Sequence, residues 1–173
     1  MKKLTTKALA QVAMLIALEI IFTRFLSIQT PIVRIGFGFL PIAIIAILHG
    51  PLMAGVGYAI GDLIGFSLFG TGVFFPGFTF SAFLTGVIFG LFLYGGPKST
   101  GRIILAVVIV TVVVRLGLTT LWLSMMFDRA FIALLPTRIV TSFAMAPIMV
   151  VLIRATSNAR FHSLIGSKPA TAE

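Results

Sequence analysis

A chain of 173 residues that is 59% hydrophobic and only 10% charged excludes a soluble globular domain, because such domains carry roughly 25% charged residues. Its mean hydropathy of +1.17 makes lipid the solvent for most of its surface. The net charge of +9 comes from bases scattered between apolar runs; none is long enough to follow a nucleic-acid backbone, so the bilayer and not nucleic acid is the partner. The absence of cysteine removes disulfides, thiolate chemistry and cysteine-ligated metal.

The opening MKKLTTKALAQVAMLIALEIIF imitates a secretory signal. Its apolar run exceeds the roughly 7–15 residues of a signal core, and more spans follow, so it reads as an uncleaved first transmembrane helix. Span 1 is expected at about Leu4–Leu26, followed by the loop SIQTPIVR with Pro31 as breaker. Span 2, about Phe37–Leu48, carries Pro41 and is shorter than the roughly 20 residues needed to cross a bilayer; it is expected to end inside a protein-lined cavity. HGP (His49 to Pro51) is a tight turn, and span 3 follows at about Leu52–Phe69. Residues 69–81, FGTGVFFPGFTFS, interrupt the apolar pattern before span 4 at about Phe78–Tyr94. GGPKSTG leads into span 5 at about Arg102–Met125, MFDRA links it to span 6 at about Phe131–Ile153, and a polar basic tail closes the chain. The expected fold is an all-α integral membrane protein, a single domain built as a six-helix bundle without internal repeats.

Orientation follows from the bases. With the N-terminus inside, the cytoplasmic side holds Lys2, Lys3, Lys7, Lys98, Arg102, Arg154, Arg160 and Lys168. Arg24, Arg34, Arg115, Arg129 and Arg138 fall in outer loops or within spans, and the two intramembrane arginines, Arg115 and Arg138, do not vote. Both termini are placed in the cytoplasm, and the 69–81 segment faces outside.

Several constellations could carry function. Thr111, Arg115, Thr119 and Trp122 share one face of span 5. An arginine deep in a span costs several kcal/mol unless paired or solvated, so Arg115 either forms an ion pair with Glu19 or Asp62 or meets an anion or ring oxygen in a wet cavity. Arg138 shares a face of span 6 with Thr141, Ser142 and Met145; it either snorkels or grips a carboxylate with its planar fork. In span 3, Gly57, Gly61 and Gly65 form a stripe that lets helices approach closely. Asp62 lies one residue off that stripe near Tyr58 and Phe66, and either pairs with Arg115 or receives a ligand with two N–H donors. Ala10, Ala13 and Ala17 line one face of span 1, opposite Glu19; such a strip packs a helix of this chain or of a partner subunit. In the 69–81 segment, Gly70, Gly72 and Gly77 permit unusual backbone angles, Pro76 is expected to stop any helix, and Phe74, Phe75 and Phe78 can stack on a flat ring. An interfacial aromatic belt is the competing reading, but belts favour Trp and Tyr.

Enzyme motifs fail. YGGPKST lacks phosphate-loop spacing, and Pro97 removes a cradling amide. GDL resembles half of an intramembrane aspartyl protease site, but Ile60 stands where a glycine is needed and no second intramembrane aspartate exists. GFSLF lacks the glycine after a rhomboid-type serine. His49 and His162 are too few for a metal site.

The stretches AMLIALEIIFTRF, RIGFGFLPIAI, GPLMAGVGYAIGDLIG and FFPGFTFSAFLTGVIFG, which occur in order over roughly the first 90 residues, resemble the S-components of energy-coupling-factor (ECF) vitamin transporters, the folate-specific family in particular. The resemblance implies a six-helix bundle that binds vitamin near the outer face under loops 1, 3 and 5, with the 69–81 segment as loop 3. It further implies that Ala13 and Ala17 supply the docking pattern for a shared transmembrane T-component served by two ATPases. Folate joins a flat pterin, an aminobenzoate and an acidic tail. The aromatic residues would stack on the rings, Asp62 would accept from the pterin edge, and arginines would meet the carboxylates. Arg34 in loop 1 is the leading tail candidate; Arg24 lies on the alanine face and reaches the pocket only if span 1 unwinds. The expected function is therefore a folate-binding S-component with no cofactor and no chemistry of its own. The alternatives are an S-component for riboflavin or thiamine, and an intramembrane hydrolase using Asp62.

Overall fold

The computed structural model describes residues 6–29, 34–70, 73–95, 99–127 and 131–157. Helix α1 (Thr6–Arg24) turns Val12, Glu19 and Thr23 inward. Two short strands, β1 (Ser27–Gln29) and β2 (Arg34–Gly36), pair antiparallel with Ser27 opposite Gly36, so loop 1 is a small ribbon and the molecule is not purely helical. Both strands centre on the β-branched Ile28 and Ile35, which suit a pleated backbone.

Helix α2 (Phe39–His49) is the centre of the molecule. Phe39, Ile42, Ala43, Ile45 and Ala46 are all 2% exposed or less, so nearly every face of this short helix is covered by protein and not by lipid. Pro41 sits in the first turn, where the missing amide has no intrahelical partner to lose. Gly50 ends the helix at φ 90°, a conformation that favours glycine, and Pro51 opens α3 (Pro51–Phe69) at its first turn.

Helices α3 and α4 (Pro76–Leu93) form a tightly closed hairpin. A Cβ on Gly86 would stand 2.3 Å from the carbonyl oxygen of Ala54, and one on Gly90 would stand 2.1 Å from the Cα of Pro51; these backbones touch because both residues lack side chains. The Gly57, Gly61 and Gly65 stripe faces α1 instead, meeting Ile16, Glu19 and Arg24 in turn. Two expectations for the 69–81 segment are corrected here. Pro76 does not stop a helix but begins α4, with Phe75 as N-cap, because a proline's fixed φ is preorganised for the first helical turn. Gly70 has ordinary angles (φ −70°, ψ 126°) and Gly77 is helical, so neither serves a strained backbone; Gly72 lies outside the described residues.

The fifth span is one continuous rod in three parts: α5 (Thr100–Ile109), a π-helical segment (Val110–Leu118) and α6 (Thr119–Phe127). A β-branched run from Val110 to Val114 crowds an ordinary helix at i, i+4 spacing, and the wider π winding relieves it. Carbonyls thereby come within reach of hydroxyls five residues on: Thr119 Oγ1 donates to Val114 O at 2.9 Å, and Thr120 Oγ1 to Arg115 O at 3.3 Å. Extended π winding is rare and concentrates at functional sites. Helix α7 (Phe131–Ser157) carries Pro136 and Pro147 within it and packs Met145, Met149 and Ile153 into the core beside Ile103, Val107 and Val110. Among the described residues, five helical spans are long and apolar enough to cross a membrane, and α2 is a shorter apolar helix beside them.

Candidate functional site

The sequence-derived candidates gather at one end of the bundle, where α1 and the fifth span end and α4 begins. Trp122 is the hub. Its indole N–H donates to Ser81 Oγ at 3.0 Å, and its ring lies 5.6 Å from that of Phe75 at an interplanar angle of 44°. Phe75 in turn meets Phe78 edge-on at 6.0 Å. Such pairs each contribute about 0.5–1.5 kcal/mol beyond the area they bury. Gly77 makes the cluster possible: a Cβ there would stand 2.6 Å from the indole Cδ2 and 2.6 Å from Phe75 Cε1. The glycine provides room for the tryptophan.

A second aromatic group flanks the first. Phe74 does not join Phe75; it pairs with Phe66 at 5.2 Å, and the guanidinium of Arg24 sits 6.0 Å from the Phe66 ring in cation–π range. Helix α1 stays wound through Arg24 and ends there. Being the last helical residue, it turns its long side chain across onto Gly65 of α3, whose absent Cβ would lie 3.1 Å from Arg24 Nε. The remaining alanine face, Ala10, Ala13 and Ala17, is exposed on the outside of α1.

The charged residues do not pair as an ion-pair reading requires. Asp62 is half-buried and accepts a hydrogen bond from Thr79 Oγ1 at 2.9 Å. Glu19, 1% exposed, accepts from Thr23 at 2.7 Å and lies against Gly38 and Gly61, within the α1–α2–α3 junction. Among the described residues neither carboxylate forms an ion pair with Arg115 or Arg138. Instead Arg138 reaches the rod that carries Arg115. Arg138 Nη1 donates to the carbonyl of Thr119 at 3.5 Å, one turn beyond Arg115 on the same rod. Tyr58 and Asp62 are four residues apart and so share a face of α3.

The structure thus brings Phe75, Phe78 and Trp122 into contact, ties Asp62 to Thr79 near the start of α4, sets Arg138 against the Thr119 carbonyl one turn beyond Arg115, and gathers Arg24 and Phe74 on Phe66. For Arg34 the structure gives the backbone in β2; the position of its side chain lies outside what is described. Thr79 and Ser81 were not singled out from the sequence, although both are in the segment 69–81. Polar residues in an apolar span tend to face the bundle interior, and that signal would have found them. Chemically, the neighbourhood offers aromatic faces, a carboxylate acceptor and the fork of Arg138. Among the described residues it shows no nucleophile with an adjacent base.

A family described as ECF transporter, substrate-specific component, matches residues 7–155. A folate transporter FolT of Clostridium novyi (strain NT) is 49% identical over 141 residues, which span 82% of this chain and 82% of that protein. A folate transporter FolT of Leuconostoc mesenteroides subsp. mesenteroides is 34% identical over 154 residues, 86% and 83% of the two chains. A crystal structure of FolT bound with folic acid superposes with a TM-score of 0.85 at 37% identity, covering 89% of this chain and 94% of that one. The hydrolase reading of Asp62 falls with this result, since the family is a transport component and the carboxylate is held by a threonine. By sequence and by fold, the chain belongs to the substrate-specific components of ECF transporters, multi-pass proteins of the cell membrane that bind a cargo and do no chemistry on it.

Proposed function

We propose that this chain captures folate at its outer mouth and delivers it through an energising module made of a transmembrane T-component and two ATPases. The observation that carries the reading is the Trp122–Phe75–Phe78 cluster beside the turn of α6 where Arg138 reaches the Thr119 carbonyl. A flat ring system ending in carboxylates needs an aromatic slot and cationic forks side by side. The relatives called folate transporters and the folic acid-bound FolT structure support the same ligand. In this reading Trp122, Phe75 and Phe78 stack on the rings. Asp62, oriented by Thr79, accepts from the N–H edge of the pterin. Arg115 and Arg138 meet a carboxylate or ring oxygen. Arg24, beside Phe66 and Phe74, and Arg34 in loop 1 attract the acidic tail.

Titration calorimetry of the purified protein against folate, riboflavin and thiamine tests this directly. Folate is expected to bind, and to quench the fluorescence of Trp122, the single tryptophan of the chain. Binding of thiamine or riboflavin in preference to folate would overturn the assignment. The exposed strip of Ala10, Ala13 and Ala17 is proposed as the surface on which the T-component docks. Ala13→Trp is expected to leave folate affinity unchanged and to abolish uptake by cells carrying the full transporter; retained uptake would remove the strip from that role.

A further inference from the structure

We infer that the end of the bundle opposite the aromatic cluster carries a site for an anionic phospholipid, with the headgroup phosphate held by Arg102 and an acyl chain laid along α5. The inference does not rest on the identity of the cargo. Helix α4 begins at the aromatic cluster and ends at Leu93, while the fifth span begins at Thr100 and ends beyond Trp122. Leu93 and Thr100 therefore mark the far end, which the distribution of positive charge places in the cytoplasm. Helices α2, α4, α5 and α7 meet there around a shallow crevice of about 210 Å³, counting the space open to solvent at its mouth. Ile47, Leu93 and Ile103, all 8% exposed or less, form its apolar wall, and Ser99, Arg102 and Ser157 form its polar side.

The polar side suits a phosphate. Arg102 presents a planar guanidinium, whose forked N–H donors match phosphate oxygens in pairs. Ser99 makes no cap bond with its side chain, which leaves its hydroxyl for the same headgroup. Three residues before Ser157 on α7, Arg154 donates to Thr100 Oγ1, which ties a second guanidinium to the first turn of α5. The acidic side chains among the described residues sit towards the other end: Glu19 lies against Gly38, and Asp62 accepts from Thr79, roughly 20 Å of helix before Leu93. What lies beyond the guanidinium selects a lipid over a free phosphate. Leu105 and Ile109 follow Arg102 one and two turns deeper on the same face of α5. Leu105 is 49% exposed and Ile109 is half-buried. A soluble phosphate gains nothing from such a track, whereas the acyl chain beneath a bound headgroup covers it. Basic pockets between helices at the cytoplasmic rim recognise anionic headgroups in this way.

Native mass spectrometry of the full chain, released from detergent after titration with dioleoyl phosphatidylglycerol or dioleoyl phosphatidylcholine, reads the site without any vitamin. The wild type is expected to hold phosphatidylglycerol about fivefold more tightly than phosphatidylcholine, the factor given by one arginine near an anionic surface. Arg102→Gln should lose most of that preference, and Arg102→Lys, which keeps the charge, should retain most of it. Lys7→Gln removes an exposed base of α1 and should change nothing. Absence of the preference in the wild type, or its equal loss in Lys7→Gln and Arg102→Gln, would overturn the site. Leu105→Asn should weaken phosphatidylglycerol binding about threefold; unchanged binding would overturn the acyl track and the lipid assignment with it. Displacement of the bound lipid by ~10 mM inorganic phosphate at constant ionic strength would identify a free-anion site and overturn the lipid assignment too. Thermal unfolding gives a second readout. Phosphatidylglycerol should raise the melting temperature of the wild type about 3 °C above its value in phosphatidylcholine, and Arg102→Gln should show no such rise. The comparison is between two lipids on one protein, so it decides even where a variant melts lower by itself. An equal rise in wild type and Arg102→Gln would overturn the proposal.

Discussion

The α3–α4 hairpin and the pair formed by the fifth span and α7 solve opposite problems. In the hairpin, Gly86 and Gly90 bring two backbones into contact, and close van der Waals packing is what holds helices together in lipid, where no hydrophobic force draws them. In the other pair, the rod is π-wound at Val110–Leu118, α7 carries two internal prolines, and Arg138 reaches the Thr119 carbonyl one turn beyond Arg115. One region is built for a fixed geometry. The other combines irregular winding with intramembrane charge. The two regions meet at the contact of Trp122 with Gly77 and Ser81.

Substitution of the contact glycines puts the sharpest pressure on this contrast. Gly90→Leu must push aside the backbone of Pro51, since even a Cβ would come to 2.1 Å. Overpacking of a core commonly costs ~1–3 kcal/mol and more where backbone must move, which for a chain of this size corresponds to a melting temperature lower by about 10 °C or to loss of folded protein. Gly117→Ala, in the π segment, is the counterpart. Its Cβ would meet nothing nearer than Val112 O at 3.4 Å, and alanine is the better helix former by about 1 kcal/mol, so melting is expected to stay level or to rise by about 2–4 °C. Equal damage from the two substitutions, in thermal unfolding of detergent-solubilised protein, would erase the distinction between the regions.

What the sequence made legible follows the same division. The apolar runs, the Ala10–Ala13–Ala17 face and the Gly57–Gly61–Gly65 stripe are properties of local spacing, and spacing survives folding. The role of Pro76 was misread because a proline after an aromatic run can end one helix or begin the next, and only the chain's return as α4 decides which. Gly77 looked like a turn residue because no pattern in the sequence announces that an indole from residue 122 will lie on it. The missing Arg115–Asp62 pair has a similar origin: two opposite charges in an apolar chain invite pairing, yet Thr79, one turn into α4, reaches the carboxylate first. The β1–β2 ribbon went unseen because three-residue strands are too short for a period-two signal.

Charge removal sets stability against binding in a single residue. Arg115→Gln deletes one of two like charges and leaves an amide of similar length. If the arginine is retained for its ligand, folate affinity should fall by about thirtyfold or more, the value of a charge-assisted hydrogen bond at ~2 kcal/mol. The melting temperature of the vitamin-free protein should hold or rise, because a costly intramembrane charge is removed. Calorimetry and thermal unfolding on the same preparation read both. A fall in stability with unchanged affinity would make Arg115 a structural residue, and the fifth span would then belong with the hairpin.

The smallest effect is expected at the seam itself. Thr79→Val keeps the shape of the side chain and removes the hydroxyl that donates to Asp62 Oδ2 at 2.9 Å. A hydrogen bond to a charged group is worth about 1.5–3 kcal/mol. Asp62 is only half-buried, so water replaces part of the loss, and folate affinity should fall by about three- to tenfold with little change in melting. The pairing makes a stricter demand than either number. Asp62→Asn alone should weaken binding more than Thr79→Val, since it removes the acceptor charge as well as the contact. Once Asp62 is an amide, the threonine has no carboxylate to orient, so Thr79→Val in that background should cost almost nothing further. Non-additivity of this kind is the signature of residues acting through one another. Additive losses would mean that Thr79 touches the vitamin in its own right, and the carboxylate would then take its direction from α3 alone.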